Sequence, residues 1–320
     1  VAFLLEQLDT RVRDERQMVE ALGMSALGHL PPLPRRAPDG GSVQMLSDPS
    51  GRMAESIRVL RGNLSFTGID GDVRSVIVTS SIRAEGKSMT SSNLAVALAL
   101  AGQRVVLVDA DLRRPRIHSY LRVSNTVGLS SVLARRAELS DALIPVSLQT
   151  RGEGESIVQM AVRETVPIAA TPGGSWSAEE PLHLSLRESR REPRSDGDIR
   201  LRVLPSGPLP PNPGEMAASQ RLGEIIDALV DAADFVIVDT PPLLEVGDAA
   251  AMASKVDGVV FVVNLDQVRW PMLERSHAQL ERLPCRKLGM VIVSSKRHPN
   301  AAYRYGYRDY RDSGEAPLSG

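Results

Sequence analysis

The chain has 320 residues, 42% of them hydrophobic, and its 38 basic and 39 acidic residues give a formal net charge of −1. A chain of this length and apolar content can bury a sizeable core, in one large domain or two small ones. Because charges of both signs are interspersed, the broad basic surface that nucleic-acid binding requires is missing, and no nucleic-acid partner is expected. The single cysteine, Cys285, cannot form an internal disulfide, which fits a reducing compartment.

The first residues look like the inner end of a membrane helix. Residues 1–5 are apolar, and Arg11, Arg13 and Arg16 follow them, as basic residues follow the cytoplasmic ends of membrane helices. These apolar residues are too few to span a bilayer, which takes about 20. We therefore expect residues 1–29 to form a juxtamembrane segment after a truncated membrane helix. An ordinary amphipathic helix start is the alternative.

A Pro- and Gly-rich stretch separates this segment from the rest of the chain. Residues 30–51 are predicted to be a linker, and the folded domain is expected at 52–298. Directly after the linker, apolar residues recur at helical spacing, which predicts a docked helix. They are Met53, Ile57, Leu60 and Leu64.

Short, continuous apolar runs alternate with helical patterns through the domain. The runs, which are predicted strands, lie at residues 76–78, 105–108, 235–238, 259–263 and 290–293. Helical spacing marks residues 87–101, 216–230 and 272–283. Apolar strands that alternate with helices are typical of a parallel sheet covered on both faces. The predicted fold class is therefore α/β, a doubly wound and mostly parallel sheet.

Two stretches depart from this pattern. Residues of about 149–200 mix charges, Gly and Pro without periodicity and are predicted to be a mobile insertion. Residues 299–320 are predicted to be a flexible tail. This tail carries four of the five tyrosines, namely Tyr303, Tyr305, Tyr307 and Tyr310. The fifth, Tyr120, is interpreted as structural.

A candidate phosphate-binding loop stands between a predicted strand and a predicted helix. Its candidate nucleotide-binding residues are Ser81, Arg83, Ala84, Glu85, Gly86, Lys87, Ser88 and Met89. In such a loop the backbone N–H groups and the helix N-terminus face the phosphates, the lysine reaches the β and γ oxygens, and the serine hydroxyl can bind Mg²⁺. Ser81 stands where the usual pattern has Gly. Because a Gly-Lys-Ser triplet is common by itself, a helix start with an exposed lysine is the alternative.

Two other predicted strands end in aspartates. Asp109 and Asp111 follow the run at 105–108, and Asp239 follows the run at 235–238. Carboxylates at the carboxyl ends of parallel strands lie where α/β sheets bind ligands, and they can hold Mg²⁺ or polarise an attacking group. Each motif alone is equally typical of a strand-ending turn, but the three motifs in this order predict a nucleotide site. The candidate catalytic residues are Lys87, Asp109, Asp111 and Asp239, and the candidate Mg²⁺ ligands are Ser88, Asp109 and Asp239.

Together these motifs resemble those of the bacterial tyrosine kinases of capsule and exopolysaccharide synthesis, which are P-loop NTPases of the MinD/ParA-like type. The similarity includes the Leu-Arg-Arg-Pro run at 112–115 and the segment 203–213, and the opening residues are similar to the end of a fused chain-length-determinant module. The resemblance implies an autokinase that uses ATP and Mg²⁺. It also implies that Lys87 and Ser88 bind phosphate and Mg²⁺ and that Asp239 supports the metal. Asp109 and Asp111 would assist catalysis, and which of them is the base stays open.

The resemblance also implies substrates and partners. The four tail tyrosines would be the phospho-acceptors, modified in trans. Glu55, Arg58 and Arg61 match the family's subunit-contact motif, which implies a homo-oligomer, whereas the residues alone favour ion pairs within one helix. Further implied partners are the polysaccharide chain-length and export machinery and a tyrosine phosphatase. The implied location is the cytoplasmic face of the bacterial plasma (inner) membrane.

The chain departs from the family pattern at two points. Family loops commonly read Pro-Gly-Glu-Gly-Lys, whereas Arg83 and Ala84 precede Glu85 here, and Val293 stands where relatives often have an adenine-contacting Asn. Two other functions are therefore kept. One is a MinD/ParA-like ATPase switch, although Ile82 occupies the position of its signature lysine. The other is a catalytically weak nucleotide-binding scaffold that regulates a polysaccharide polymerase.

Overall fold

The computed structural model describes residues 12, 15–32, 43–67, 73–146, 148 and 201–294. The strands of this part are β1 (Ala26–Leu30), β2 (Ser75–Ser80), β3 (Val105–Asp109), β4 (Ile144–Val146), β5 (Leu201–Leu204), β6 (Phe235–Asp239), β7 (Gly258–Asn264) and β8 (Arg286–Val293). The helices are α1 (Glu15–Leu22), α2 (Gln44–Ser47), α3 (Arg52–Thr67), α4 (Lys87–Leu100), α5 (Ile117–Leu121), α6 (Leu129–Leu133), α7 (Leu139–Ala142), α8 (Pro213–Ala218), α9 (Gln220–Ala232), α10 (Asp248–Ala253) and α11 (Trp270–Leu280).

The described strands form one sheet of eight strands in the order β1-β8-β7-β2-β6-β3-β5-β4. Every neighbouring pair is parallel except β4 with β5. Every residue of the central strands β2 and β3 is buried, and a separate apolar cluster covers each face of the sheet. The continuous apolar runs arise because a strand inside a covered parallel sheet meets helices on both faces. The predicted fold class is confirmed.

The central strands end together at one edge of the sheet. Asp109 at the end of β3 lies beside Asp239 at the end of β6, and Val78 of β2 lies beside Asp239 on the other side. Farther along this edge, Asn264 of β7 lies beside Val293 of β8. The parallel topology thus gathers residues that are far apart in sequence where α/β sheets bind their ligands.

The folded domain begins earlier than the sequence predicted. Strand β1 pairs in parallel with β8, and α1 packs against α11 and buries Met18 and Leu22. Residues 15–30 are therefore part of the domain rather than a separate juxtamembrane segment. Strand β1 could not be predicted from the sequence, because this short edge strand contains Gly28 and His29 and so lacks a continuous apolar run. At Gly28 an added Cβ would lie 3.3 Å from Leu60 Cβ of α3.

Two further predictions are corrected. The linker predicted at 30–51 contains α2, whose Met45 is buried and whose Met45 N–H donates to Asn93 Oδ1 of α4 at 3.0 Å. The helix predicted at 216–230 is two helices, α8 and α9. Ser219 separates them because it adopts an extended conformation, with ψ 145°, and its hydroxyl accepts from Leu222 N–H as the N-cap of α9.

Several predicted segments lie outside the described residues. These are the truncated membrane helix near residue 5, residues 33–42 of the linker, the whole insertion and the tyrosine-rich tail. Among the helices that the structure describes, none is long and apolar enough to cross a membrane.

Candidate functional site

The candidate phosphate-binding loop connects β2 to α4 and has the backbone shape such a loop needs. Gly86 has φ +103°, and Ala84 has φ +62°, a left-handed conformation that residues other than Gly seldom adopt. The helical hydrogen bonds begin with Thr90 N–H, which donates to Gly86 O at 2.9 Å. The N–H groups of the first turn of α4 therefore have no carbonyl acceptor within the helix and are suited to binding an anion.

The carboxylates of Glu85 and Glu245 hold this loop in place. Glu85 is fully buried, and its two oxygens accept from Ile82 N–H at 2.8 Å and from Asn264 N–H at 3.2 Å. Burial raises the pKa of Glu85 to about 7, although the backbone N–H groups oppose that rise. Glu245, after β6, accepts from Arg83 N–H at 3.0 Å and pairs with the Arg83 guanidinium. The phosphate-binding loop is thus tied to the loop after β6 and to the end of β7.

Lys87 and Asp111 form a buried ion pair at the base of the loop. Lys87 Nζ lies 2.9 Å from Asp111 Oδ2, and the two residues are only 8% and 4% exposed. Burial alone lowers the pKa of Lys87, but the negative charges of Asp239 and Asp111 outweigh it and the pKa lies above its ordinary value. The lysine is therefore held in its charged form, as phosphate binding requires.

Ser88 and Asp239 form a second buried contact beside this ion pair. Ser88 Oγ donates to Asp239 Oδ2 at 2.6 Å, and Ser91 Oγ donates to Asp239 Oδ1 at 3.1 Å. Burial raises the pKa of Asp239, while the charge of Lys87 and the Ser88 hydrogen bond oppose that rise. Asp239 thus orients the hydroxyl that was predicted to bind Mg²⁺.

Asp109 takes a different position from the one expected of a catalytic aspartate. Its Oδ2 accepts from Arg116 N–H at 3.1 Å and from Ile117 N–H at 3.0 Å, which holds the start of α5. Its Oδ1 is buried and has no hydrogen-bond partner among the described residues. Burial and the neighbouring charge of Asp239 raise the pKa of Asp109 well above its ordinary range.

These groups surround a cleft of about 590 Å³, a size typical of small-molecule sites. The predicted residues that line it are Arg83, Ala84, Glu85, Gly86, Lys87, Ser88, Met89 and Asp111. Asp109 and Asp239 lie behind the lining, and Ser81 is buried with its hydroxyl accepting from Ser276 Oγ at 3.0 Å. Of the two aspartates expected to act together, only Asp111 lines the cleft.

The cleft has further lining residues that sequence reasoning missed. They include Arg113, Arg114, Arg116, Tyr120, Glu245 and Asn264. The basic run directly after Asp111 was the available signal for the arginines. Tyr120, interpreted as structural, lines the cleft, and burial raises the pKa of its hydroxyl. Val293 also lines the cleft, beside Asn264. It places an apolar side chain at the position where the family resemblance implies the side-chain amide of an Asn.

Arg113 is held by a partner that could not be expected from its position in the chain. Its Nε donates to Asp248 Oδ2 at 2.7 Å and its terminal nitrogen to Asp248 Oδ1 at 3.2 Å. This two-point contact joins the loop after β3 to the start of α10. It also raises the pKa of Arg113.

The predicted subunit-contact residues lie on α3. Arg58 lies 3.0 Å from Glu55 and donates to Pro49 O at 2.7 Å, and Arg61 donates to Ala97 O of α4 at 3.0 Å. The ion pair between Glu55 and Arg58 is the contact within one helix that the residues alone favoured. The four tail tyrosines lie outside the described residues.

The donor set suits a hard cation. In the described part of the chain no group of three or more His, Cys, Asp and Glu side chains is arranged to hold a metal ion. The Ser88 hydroxyl and the carboxylates of Asp111 and Asp239 are oxygen donors, however, and Mg²⁺ in nucleotide sites takes few protein ligands because phosphate oxygens and water supply the rest. The residues therefore fit Mg²⁺ bound together with a nucleotide.

Comparison with known proteins agrees with this geometry. The profile of the "CobQ/CobB/MinD/ParA nucleotide binding domain" family matches residues 76–242, more than half of the chain. The tyrosine-protein kinase YwqD of Bacillus subtilis is 29% identical over 264 residues, which cover 82% of this chain and 90% of that protein. The putative tyrosine-protein kinase EpsB of Ralstonia nicotianae is 30% identical over 275 residues, which cover 86% of this chain but only 28% of that longer protein.

Solved structures agree as well. The chimerical protein CapA2B2 superposes with a TM-score of 0.65 at 26% identity, covering 88% of this chain and 99% of that one. The family profile, the kinase relatives and the cleft lined by Lys87, Ser88 and Asp111 agree, and they confirm the resemblance found in the sequence. The chain belongs to the CobQ/CobB/MinD/ParA nucleotide-binding family and, within it, to the bacterial tyrosine-protein kinases.

Proposed function

We propose that this kinase transfers the γ-phosphoryl group of ATP to the tyrosines of its own C-terminal cluster, Tyr303, Tyr305, Tyr307 and Tyr310. The observation that carries the proposal is the convergence of Lys87, Ser88 and Asp111 in one cleft at the first turn of α4, with Asp239 hydrogen-bonded to Ser88 behind them. The resemblance to autokinases with such tails, together with the kinase relatives, supports the choice of substrate.

ATP binds with its phosphates over the loop at 81–88. The N–H groups at the start of α4 donate to phosphate oxygens, and the positive end of the helix dipole favours the negative charge there. Lys87 leaves Asp111 and contacts the β and γ phosphates as the pair opens. Val293 and Asn264 line the cleft beside the loop and are suited to contact the base.

Mg²⁺, when bound, neutralises charge that develops on the transferred phosphoryl group and the leaving ADP. Ser88 Oγ would hold it. Asp239, hydrogen-bonded to that hydroxyl at 2.6 Å, supports the ligand from behind and adds negative charge near the metal.

Asp111 is our choice for the general base. A tyrosine hydroxyl, with an ordinary pKa of about 10, needs a nearby acceptor to become a good nucleophile at neutral pH. Asp111 lines the cleft, whereas Asp109 holds α5 from behind. As the tyrosine oxygen forms its bond to the γ phosphorus, the bond to the β–γ bridging oxygen breaks, ADP leaves and the tyrosine proton passes to Asp111.

Assembly would bring a neighbouring tail to this cleft. The helix α3 carries Glu55 together with two exposed apolar side chains, Val59 (49% exposed) and Phe66 (70% exposed), a combination typical of a protein contact. From residue 295 to Tyr310 an extended chain spans on the order of 50 Å at ~3.3 Å per residue, so transfer between copies is sterically feasible. A homo-oligomer that phosphorylates its tails in trans is therefore part of the proposal.

The cellular role follows the resemblance. We infer that tail phosphorylation regulates polysaccharide polymerisation and export at the cytoplasmic face of the bacterial plasma membrane, and that a tyrosine phosphatase reverses it. Each phosphate adds about −1.5 to −2 charge, which is enough to alter how tails pack against neighbouring copies. Sedimentation of phosphorylated and dephosphorylated protein tests this coupling: a difference in size is expected, and equal sizes contradict it.

The test of the function is transfer from γ-labelled ATP with Mg²⁺. Label on tyrosine is expected in the wild type. It should be lost in Lys87→Met and in a variant with all four tail tyrosines changed to Phe. The Phe variant should still bind a fluorescent ATP analogue, because its cleft is intact. Nucleotide binding without label in the wild type would instead favour the scaffold or the ATPase switch, and ATP hydrolysis would separate those two.

A further inference from the structure

The rim of the cleft carries two arginines whose backbone N–H groups are hydrogen-bonded and whose side chains form no ion pair with the described residues. Asp111 Oδ1 accepts from Arg114 N–H at 3.0 Å, and Asp109 Oδ2 accepts from Arg116 N–H at 3.1 Å. Both side chains are exposed and line the cleft. Within the described part of the chain, neither guanidinium forms an ion pair.

The other cations of the cleft already have partners. Lys87 pairs with Asp111, Arg83 with Glu245, and Arg113 with Asp248. The remaining lining carboxyl, Glu85, accepts two backbone N–H groups. Arg114 and Arg116 therefore leave a positive excess at the rim, next to Asp111, where the proposed acceptor tyrosine must enter.

The four tail tyrosines differ in the charges beside them. Tyr310 has Asp309 directly before it and Asp312 two residues after it, and Arg308 and Arg311 also lie within two positions of it. Tyr303 and Tyr305 have Arg304 between them and no acidic residue within two positions. Tyr310 thus has the most acidic neighbours within two positions, two against one for Tyr307 and none for Tyr303 and Tyr305, and acidic neighbours suit the positive excess at the rim.

We propose that Arg114 and Arg116 form an acceptor-selecting rim that recognises acidic residues on both sides of a tyrosine, so that Tyr310 is the first tail tyrosine to be phosphorylated. The inference rests on the proposed autokinase function and specifies its substrate. The acceptor is a tyrosine in an extended peptide with Asp immediately before it and at the second position after it.

An order of modification follows from the same charges. A phosphate on Tyr310 adds about −1.5 to −2 charge three residues after Tyr307. That charge makes Tyr307 a better match to the rim, and phosphate on Tyr307 does the same for Tyr305. Phosphorylation is therefore expected to proceed from Tyr310 towards Tyr303.

The test uses full-length enzyme with its four tail tyrosines changed to Phe, and synthetic peptides of residues 299–316 that keep one tyrosine each. With saturating ATP and Mg²⁺ at low salt, kcat/KM should be roughly three- to tenfold higher for the Tyr310 peptide than for the Tyr305 peptide, the range that two exposed ion pairs supply. The difference should lie in KM and shrink as salt rises. Asp309→Asn with Asp312→Asn in the peptide should remove it.

Changing the rim is the reciprocal test. Arg114→Gln with Arg116→Gln should make the two peptides equal substrates, while Arg136→Gln, an exposed arginine away from the cleft, should preserve the preference. Equal kcat/KM for the two peptides with the unaltered rim overturns the inference but not the kinase function. A rise in the KM for ATP that leaves the peptide preference unchanged assigns the arginines to the nucleotide and also overturns it. Transfer to none of the peptides overturns the proposed function and this inference with it.

Discussion

The buried carboxyl of Glu85 should make the stability of the domain depend on pH in a predictable direction. Burial raises the pKa of this group from 4.5 to about 7 in the folded state. A raised pKa means that the folded protein binds the proton more tightly than the unfolded chain. The stabilisation is therefore complete below pH ~4.5 and is lost as pH rises through about 7.

The size of the effect follows from the shift. A difference of one pKa unit corresponds to about 1.36 kcal/mol, so the rise from 4.5 to about 7 predicts a loss of about 3 kcal/mol between mildly acidic and mildly basic pH. Glu85→Gln keeps the shape and neutrality of the protonated side chain, so this loss should be absent from the variant.

Urea unfolding of the wild type and Glu85→Gln at pH 5 and pH 8 measures the effect. At pH 8 the variant is expected to be more stable than the wild type by roughly 1–3 kcal/mol, since the charge-assisted hydrogen bonds that it loses offset part of the gain. At pH 5 the two should be nearly equal. Because the pKa values of Asp109 and Asp239 are raised as well, only the difference between the two proteins isolates Glu85. The exposed Glu224→Gln serves as the control, and an equal pH dependence in wild type and Glu85→Gln would refute the reasoning.

Two further predictions concern single contacts. Lys87→Met should lower the free energy of unfolding by about 3 kcal/mol, because Asp111 stays buried without its partner 2.9 Å away, and adding Asp111→Asn should recover much of the loss in chemical denaturation. Failure of the second change to help would show that the two residues are not energetically coupled. Gly128→Ala should destabilise by roughly 3 kcal/mol or more, since the new Cβ would lie 2.2 Å from Pro205 O. Its matched control, Gly62→Ala in α3, meets nothing within 4 Å and should stabilise by about 0.5–1 kcal/mol, and thermal unfolding compares the two.

The sequence was informative where local pattern and chemistry coincide. The buried central strands are continuous apolar runs because both faces of the sheet are covered, and the motifs at 81–88, 109–111 and 239 stand at their ends. Parallel topology then requires these ends to meet. That is why the cleft, with Lys87 and Asp111 inside it, could be predicted without a structure.

Contacts between distant segments could not be predicted in this way. Strand β1 is visible only through its pairing with β8, because a short edge strand with Gly28 in it lacks an apolar signature. Glu245 contacts Arg83 across 162 residues of sequence, and Asp248 contacts Arg113 across 135 residues. No rule based on residue spacing predicts contacts between residues so far apart. Asp109 and Asp111 look alike in sequence, and only the fold shows that one anchors α5 while the other lines the cleft.

Mapping phosphate in a mixture of two defective chains tests the central claim most directly. One chain keeps its cleft but has all four tail tyrosines changed to Phe. The other keeps its tail but carries Lys87→Met with Asp111→Asn, which removes the phosphate-binding lysine and the proposed base without leaving a buried charge unpaired. Mass spectrometry after incubation with ATP and Mg²⁺ should find phosphate on the tail tyrosines of the second chain, in the mixture and not in either chain alone. A mixture without tail phosphate, under conditions in which the wild type labels itself on tyrosine, would contradict transfer from one copy to the tail of another.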